Sequence, residues 1–353
     1  MDRTAFFVGG TFFAIPGIYG LFSTNNNDLK VFTIAVFIGS LLNMLTTSYG
    51  IGGSVIFLTV CGIAFLCLKH LKVFFSLSLI ICLWLVAFLY YQMLVLGTVN
   101  GDIFLDYGLS RNYPGSMLVI FNSLWAVWKY LHYRRLPLLL PILSTVMAFF
   151  LDGRSSLICM ILITVFCFIF RGVNNKKLTL IMAVVFAVLL FNYWGLIGEY
   201  YELTSISSRG LETTRSIIWK AYFDNLDFGS FLFGLDSDNL PVLKEWNGVP
   251  HNSFLNFHRR MGIIGVIALF YIIIKNFKVL INRKQLSVLF IEIVLLVRMF
   301  YDGMLTTAED FFIFTLLFIP LCYNNKVYII EEQIEAKSAN WLEKLWDKVV
   351  FII

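Results

Sequence analysis

The residues able to do chemistry gather where the longest polar stretch of a very apolar chain turns back into apolar sequence. That junction reads Val249-Pro250-His251-Asn252-Ser253-Phe254-Leu255, followed by Arg259, Arg260 and Met261-Gly262-Ile263-Ile264-Gly265. Asn252 or Ser253 is suited to cap a helix, its side-chain oxygen accepting from amides that have no partner in the first turn. The positive end of that helix disfavours imidazolium at His251 and leaves a neutral ring able to take a proton. His258, two turns further on, suits a place in the same cavity or a structural hydrogen bond. His70 and His132 lie beside Lys and Arg in short polar stretches.

The arginines form the second constellation. Arg154 lies in Asp152-Gly153-Arg154-Ser155-Ser156, Arg209 and Arg215 in the long polar stretch, and Arg298 in an apolar run near Asp302. Arg215-Ser216-Ile217-Ile218-Trp219 puts a guanidinium and an indole on one helix face, because residues i and i+4 are neighbours. The apolar run after Gly262 is about two-thirds of the ~20 residues needed to cross a bilayer, so that helix is expected to begin near Asn252. Arg259 and Arg260 then fall inside the span, where charge is costly unless it serves a cavity. The alternative is that they snorkel to the surface. Guanidinium groups hold phosphates bidentately and stay charged at any working pH, so several converging would suit a pyrophosphate. The bland alternative for each is a local acid: Asp152 for Arg154, Glu212 for Arg215, Asp302 for Arg298.

Composition sets the surroundings. Hydrophobic residues make up 59% and charged residues 14% of the 353, with a mean hydropathy of +0.81, which excludes a soluble globular domain. The net charge of +5 sits mostly in short loops, so it reports orientation and not nucleic-acid binding. All six cysteines lie in apolar runs, which supports neither a disulfide framework nor a cysteine metal site. Asp236-Ser237-Asp238 has the acidic-x-acidic spacing of some metal-dependent transferases, but without a nucleotide-binding domain it reads as a turn, and no metal is expected. Gly50-Ile51-Gly52-Gly53 has no following Lys and no preceding strand, so it is not a phosphate loop. Glu292 is an acid within an apolar run, suited to relaying protons or to pairing with a neighbouring polar group.

Hydropathy windows of about 19 residues give spans near 4–22, 30–47, 51–68, 73–96, 114–131, 136–152, 155–170, 178–197, 253–274, 286–304 and 309–323, about eleven in all. The expected fold is therefore an all-α polytopic membrane protein, with residues 1–323 as a single transmembrane domain. Clusters at Lys69 and Lys72, at Lys129, Arg134 and Arg135, at Arg171, Lys176 and Lys177, and from Lys275 to Lys284 follow every second span. The positive-inside rule assigns them to the cytoplasm. The large loop 198–252 then faces outward, with a helix expected from about Leu211 to Asn225 whose apolar stripe is Thr214, Ile217, Ile218, Ala221 and Tyr222. The tail, 324–353, reads as an amphipathic helix lying on the cytoplasmic leaflet.

An Arg-Ser-Ser element after one span, a long external loop with Arg-x-x-x-Trp, a Gly-containing turn, then His-Asn-Ser-x-Leu and Gly-x-x-Gly together resemble the O-antigen polymerase and O-antigen ligase family. The likeness covers roughly residues 150–275. Where that family commonly shows Ser-Arg-Gly, this chain has Gly153-Arg154-Ser155 at one place and Ser208-Arg209-Gly210 at another, so two alignments of the first arginine stand. The resemblance implies a GT-C-like glycosyltransferase of the bacterial inner membrane with its active site facing the periplasm. It would transfer glycan from an undecaprenyl-pyrophosphate donor without cofactor or metal, and a membrane chain-length regulator is a possible partner. His251 would be the base and Arg215 the stabiliser of the leaving group. Arg154, Arg298, Arg209, Arg259 and Arg260 would hold pyrophosphate, and Asn252, Trp219, His258 and Tyr222 would line the acceptor. The polymerase joins one lipid-linked repeat unit to another and is favoured here for the compact external face; the ligase, which transfers to a lipid A core, is the alternative. A lipid-linked glycan flippase or transporter is the alternative from a different class, disfavoured because no repeat halves and no matched broken helices are seen.

Overall fold

The structure is a computed structural model that describes residues 15, 19, 20, 26–47, 50–97, 112–133, 135–151, 153–172, 214–244, 248–302 and 311–322. The expected span 178–197, all of span 4–22 but residues 15, 19 and 20, Arg209, the local acids Asp152 and Glu212, and the tail 324–353 lie outside the described residues. Within them the elements in chain order are α1 (Asn27–Leu42, continued by a 3₁₀ turn, Asn43–Leu45), α2 (Gly50–Lys69), α3 (Leu71–Leu96), α4 (Tyr113–Tyr133), α5 (Leu139–Phe150), α6 (Arg154–Gly172), α7 (Thr214–Asp224), α8 (Phe228–Phe233), α9 (Pro241–Lys244), α10 (Ser253–Asn282), α11 (Leu286–Phe300) and α12 (Phe311–Cys322). Every regular element among the described residues is helical. Three segments, Asn27–Leu45, Leu71–Leu96 and Ser253–Asn282, are long and apolar enough to cross a membrane, which marks a membrane protein; Leu139–Phe150, Arg154–Phe170 and Phe311–Cys322 are shorter apolar helices.

The chain divides into two compact units: residues 1–74, 213–292 and 299–322 form the first, and 75–212, 293–298 and 323–353 the second. In the first unit α1 lies antiparallel to α10. At one end Asp28 of α1 accepts from Tyr271 and pairs with Lys275 at 3.3 Å. At the other, Asn43 bonds the backbone of Arg259. Between them a cluster of phenylalanines fills the core. Phe32 meets Phe57 and Phe318 edge-on with centroids 5.9 and 5.8 Å apart, and Phe57 meets Phe257 and Phe314 at 5.9 and 5.7 Å. Edge-to-face geometry sets the positive ring rim on a negative ring face, adding about 0.5–1.5 kcal/mol per pair beyond burial. Asn26 caps α1 through the Leu29 amide, and its own amide donates to the Leu321 carbonyl at the end of α12. Glu292 is fully buried and accepts from Asn276, so it pairs with a polar neighbour across α10 and α11.

The helix α10 does begin at the Asn252 cap, but it is not one straight span. Gly262 has φ 60° and ψ −171°, a backbone conformation essentially reserved for glycine, and it divides the helix. Residues 263–282 are about 30 Å long as a helix, with Lys275 and Lys278 towards their far end. Arg259 and Arg260 therefore belong to a short segment, 253–261, ahead of that length, rather than to the middle of a continuous span. The expectation missed this because hydropathy measures length and cannot detect a change of direction.

The break frees the Arg259 carbonyl, which an unbroken helix would pair with the amide four residues on. The Asn43 side chain takes it at 2.9 Å and donates also to the Phe233 carbonyl at 2.6 Å. Gly39 lets α1 come this close: a Cβ there would stand 2.3 Å from the Met261 carbonyl oxygen.

In the second unit α4 is the central element, buried from Pro114 to Lys129. Lys129, expected in a cytoplasmic loop, instead lies within α4 with its ammonium 5.9 Å from the Trp125 ring centroid, a cation–π contact that offsets burial of the charge. Asn122 donates to the Ser144 hydroxyl of α5 at 2.9 Å, and Thr145 of α5 bonds Thr164 of α6 at 2.7 Å.

Replacing Asn43 by Ala should take the donor from the buried Arg259 carbonyl and the partly buried Phe233 carbonyl and destabilise the protein by about 2–4 kcal/mol. Gly262→Ala should cost about 2 kcal/mol or more, from backbone strain and from a Cβ 2.4 Å from the Leu232 oxygen. Thermal unfolding in detergent reads both, and an unshifted midpoint in either variant would show that the break does not depend on these residues.

Candidate functional site

The loop helix α7 begins at Thr214, close to the expected position, but its inward face differs from the stripe read from sequence. Ile218 and Tyr222 are buried, whereas Ile217 is 59% exposed. The inward line is Arg215, Ile218, Trp219 and Tyr222, spaced i, i+3, i+4, i+7. Ile218 and Tyr222 join Leu235 and Leu243 in a small core under the loop, with Trp219, Leu226, Leu240 and Leu255 packed against it. This core brings α7 and α9 onto the start of α10 and so fixes where Arg215 and Trp219 face.

Trp219 acts as a brace. Its indole N–H donates to the Pro250 carbonyl at 2.9 Å, and its ring meets Phe300 edge-on at 5.2 Å. On the far side of His251, the Asn252 side chain caps α10 by accepting from the Phe254 and Leu255 amides at 2.9 and 3.1 Å. Ser253 donates its hydroxyl to the Asp302 carbonyl at 2.7 Å. His251 sits between these anchors with φ 46°, a left-handed backbone that is uncommon for a bulky residue and costs of order 1–3 kcal/mol. Strain of this kind persists only where the surroundings over-determine it, and here both flanking residues are pinned.

The electrostatics of His251 follow from its position. Burial pushes the imidazole below its ordinary value of 6.5; the Asp302 carboxylate raises it and the Arg215 guanidinium lowers it. The ring is thus neutral at physiological pH, with a carboxylate suited to receive an imidazolium and a cation suited to receive an anion. The sequence reading sets Asp302 against Arg298 alone, whereas in the structure its charge acts on His251. The sole available signal was its place at the polar end of an apolar run.

The other candidate residues of this unit have structural positions. His258 is buried, its Nε2 donating to the Phe231 carbonyl and its Nδ1 bonding the Tyr222 hydroxyl, both at 2.8 Å. A carbonyl only accepts, so the neutral ring is the Nε2–H tautomer and Tyr222 donates to Nδ1. The pair pins α7 and α8 to α10. Arg259 is 2% exposed and does not snorkel. Its Nη1 donates to Ser237 at 3.1 Å and to the Gly248 carbonyl, and it lies 3.5 Å from Asp238. It thereby clasps the stretch from the Asp236-Ser237-Asp238 turn to Gly248. Arg260 is partly exposed.

Arg154 and Arg298 belong to the second unit. Arg154 is the first residue of α6. Arg298 is fully buried, donates to the Ser116 hydroxyl, and exerts its charge on Cys159. The structure thus brings His251, Arg215, Asp302 and Trp219 together in the first unit, with Tyr222, His258 and Arg259 holding the loop around them. Among the described residues no group of three or more His, Cys, Asp or Glu is arranged to hold a metal ion. Comparison with protein-family models, with curated proteins and with solved structures returned no match.

Removing Arg215 as Arg215→Gln should raise the His251 titration midpoint, and Asp302→Asn should lower it further below 6.5. Ring-nitrogen chemical shifts of isotope-labelled histidine, assigned with a His251→Asn control, check both directions. Because the folded ring binds its proton less readily than the unfolded one, His251 supports stability above the ordinary pKa. That support should be lost as pH falls through the folded value.

Proposed function

We propose that this chain is an integral-membrane glycosyltransferase of the O-antigen polymerase kind, joining undecaprenyl-pyrophosphate-linked repeat units at the periplasmic face of the inner membrane in a GT-C-like, multi-span fold. The observation that carries the proposal is the neutral His251 held in a strained backbone beside Arg215 and Asp302, at the capped end of a membrane helix. A sugar hydroxyl is a poor nucleophile until a positioned base takes its proton. In this reading His251 takes the acceptor's proton while the acceptor oxygen bonds the anomeric carbon of the donor. The bond from that carbon to the phosphate oxygen breaks, its electron pair leaves with the pyrophosphate, and Arg215 stabilises the charge that accumulates. Asp302 stabilises the imidazolium. One displacement inverts the anomeric centre, and the leaving pyrophosphate supplies the driving force without nucleotide or metal.

Orientation supports the periplasmic assignment. Lys275, Lys278, Arg283 and Lys284 lie at the end of α10 away from His251, which the positive-inside rule assigns to the cytoplasm. The reading rests on the first unit and does not require Arg154, Arg298 or Arg209. The ligase shares the chemistry and differs in acceptor.

One observation favours transport as a second reading. The discontinuity of α10 at Gly262 is of the kind that lines substrate pathways in many transporters.

Surface lipopolysaccharide from a deletion strain separates these readings. A single capped repeat in the deletion and a restored ladder with wild type are expected. His251→Ala and Arg215→Ala should each lower chain extension by about 10²–10⁴-fold at equal protein level. Polymer stranded on the lipid carrier with bare core would mean ligase. Full ladders with both variants would overturn the glycosyltransferase reading, and glycan movement across vesicles by His251→Ala protein would favour transport.

A further inference from the structure

The loop helix α8 carries an apolar surface that the proposed chemistry does not use. It lies across the end of α1: Thr46 donates to the Gly234 carbonyl at 2.8 Å, Asn43 donates to the Phe233 carbonyl, and a Cβ on Gly229 would stand 3.9 Å from the Thr46 methyl. Its inward side is settled by Ser230, which is buried and bonded to Asp227 in a reciprocal cap. Its outward side is Phe228 and Phe231, 79% and 46% exposed, one helical step apart. Two exposed phenylalanines on a six-residue helix are an unfavourable arrangement in water.

The surface of α1 shows what covers them. Val31, Ile34, Ile38, Leu41 and Leu45 are all exposed and recur at steps of three and four residues, a continuous apolar stripe along a helix long enough to cross a membrane. Met44 and Leu45, 47% and 68% exposed, carry that surface past the end of α1 to the place where α8 crosses it. A stripe of this length with no charged residue among its members is a lipid-facing surface, and the apolar face of a short helix just beyond the end of a span, Phe included, inserts at the boundary of headgroups and acyl chains.

We propose that α8 is seated in the bilayer interface, with Phe228 and Phe231 inserted among lipid headgroups and upper acyl chains as the continuation of the α1 stripe. The loop that carries Arg215 and frames His251 is then anchored to the membrane itself. The exposed face of α7, where Lys220 and Asp224 accompany Ile217 and Phe223, is of mixed polarity and is assigned to water. The inference rests on exposure and packing and stands independently of the glycosyltransferase reading.

The test is photo-crosslinking of the full chain in vesicles of phosphatidylethanolamine and phosphatidylglycerol, with 4-benzoylphenylalanine replacing Phe228 or Phe231 and, as a control, Lys220. Lipid adducts on irradiation at 228 and 231, at least several-fold above those at 220, are expected. A crosslink between two copies of the chain would overturn the proposal in favour of self-association. Adducts no more frequent than at 220 would overturn it in favour of a water-exposed loop. Native-like unfolding temperatures of the substituted proteins exclude misfolding as the cause of either result.

Discussion

A backbone carbonyl released inside an apolar environment must find a donor, and the first unit is arranged around that requirement. Gly262 interrupts α10 and frees the Arg259 carbonyl. The carbonyl is buried, and an unsatisfied polar group there is costly. Asn43, buried at the end of the antiparallel helix α1, supplies the donor and ties the same amide to Phe233 of the loop. One carboxamide therefore joins a membrane helix, a broken helix and the loop that covers the break. Gly39 makes the approach possible by having no Cβ to collide with the Met261 oxygen.

Two further polar attachments hold the loop to α10 near the break, and a third braces the loop just ahead of the helix. His258 bridges Tyr222 and Phe231, Arg259 clasps Ser237 and Gly248, and Trp219 supports Pro250. Their common effect is to leave His251 no freedom to relax its left-handed backbone. The loop's own apolar core is small, so these attachments decide its register. A buried Arg259 with several acceptors is better accommodated than a charge standing alone in lipid, because hydrogen bonds offset part of its desolvation. Residues that read as ligand-binding from their types are here the mechanical supports of a site, and the group they present is a neutral imidazole between opposite charges.

Much of the helical framework was legible in the residues. Long apolar runs cannot satisfy their backbone in lipid except as helices, so the spans drawn near 30–47, 51–68, 73–96 and 253–274 coincide with observed helices. The Asn252 cap followed from the chemistry of its side chain, and the shared face of Arg215 and Trp219 from helical spacing. The face of α7 was read less well, because Ile217 has the polarity of a core residue and lies on the exposed side. Lys129 had the charge of a loop residue and lies buried against Trp125.

By itself, then, the sequence determined a helical membrane chain, the start of α10, and His251 as the histidine at a polar boundary. These properties depend on composition and on neighbours within one or two turns, where spacing and geometry are tied together. The tertiary structure alone decided the break at Gly262, the service of Asn43 to residues far along the chain, and the union of His251 with Arg215 and Asp302. Those facts depend on contacts between segments some 30 to 220 residues apart. No local pattern encodes such contacts, since a carboxamide in one apolar helix reads the same whether or not a second helix breaks beside it.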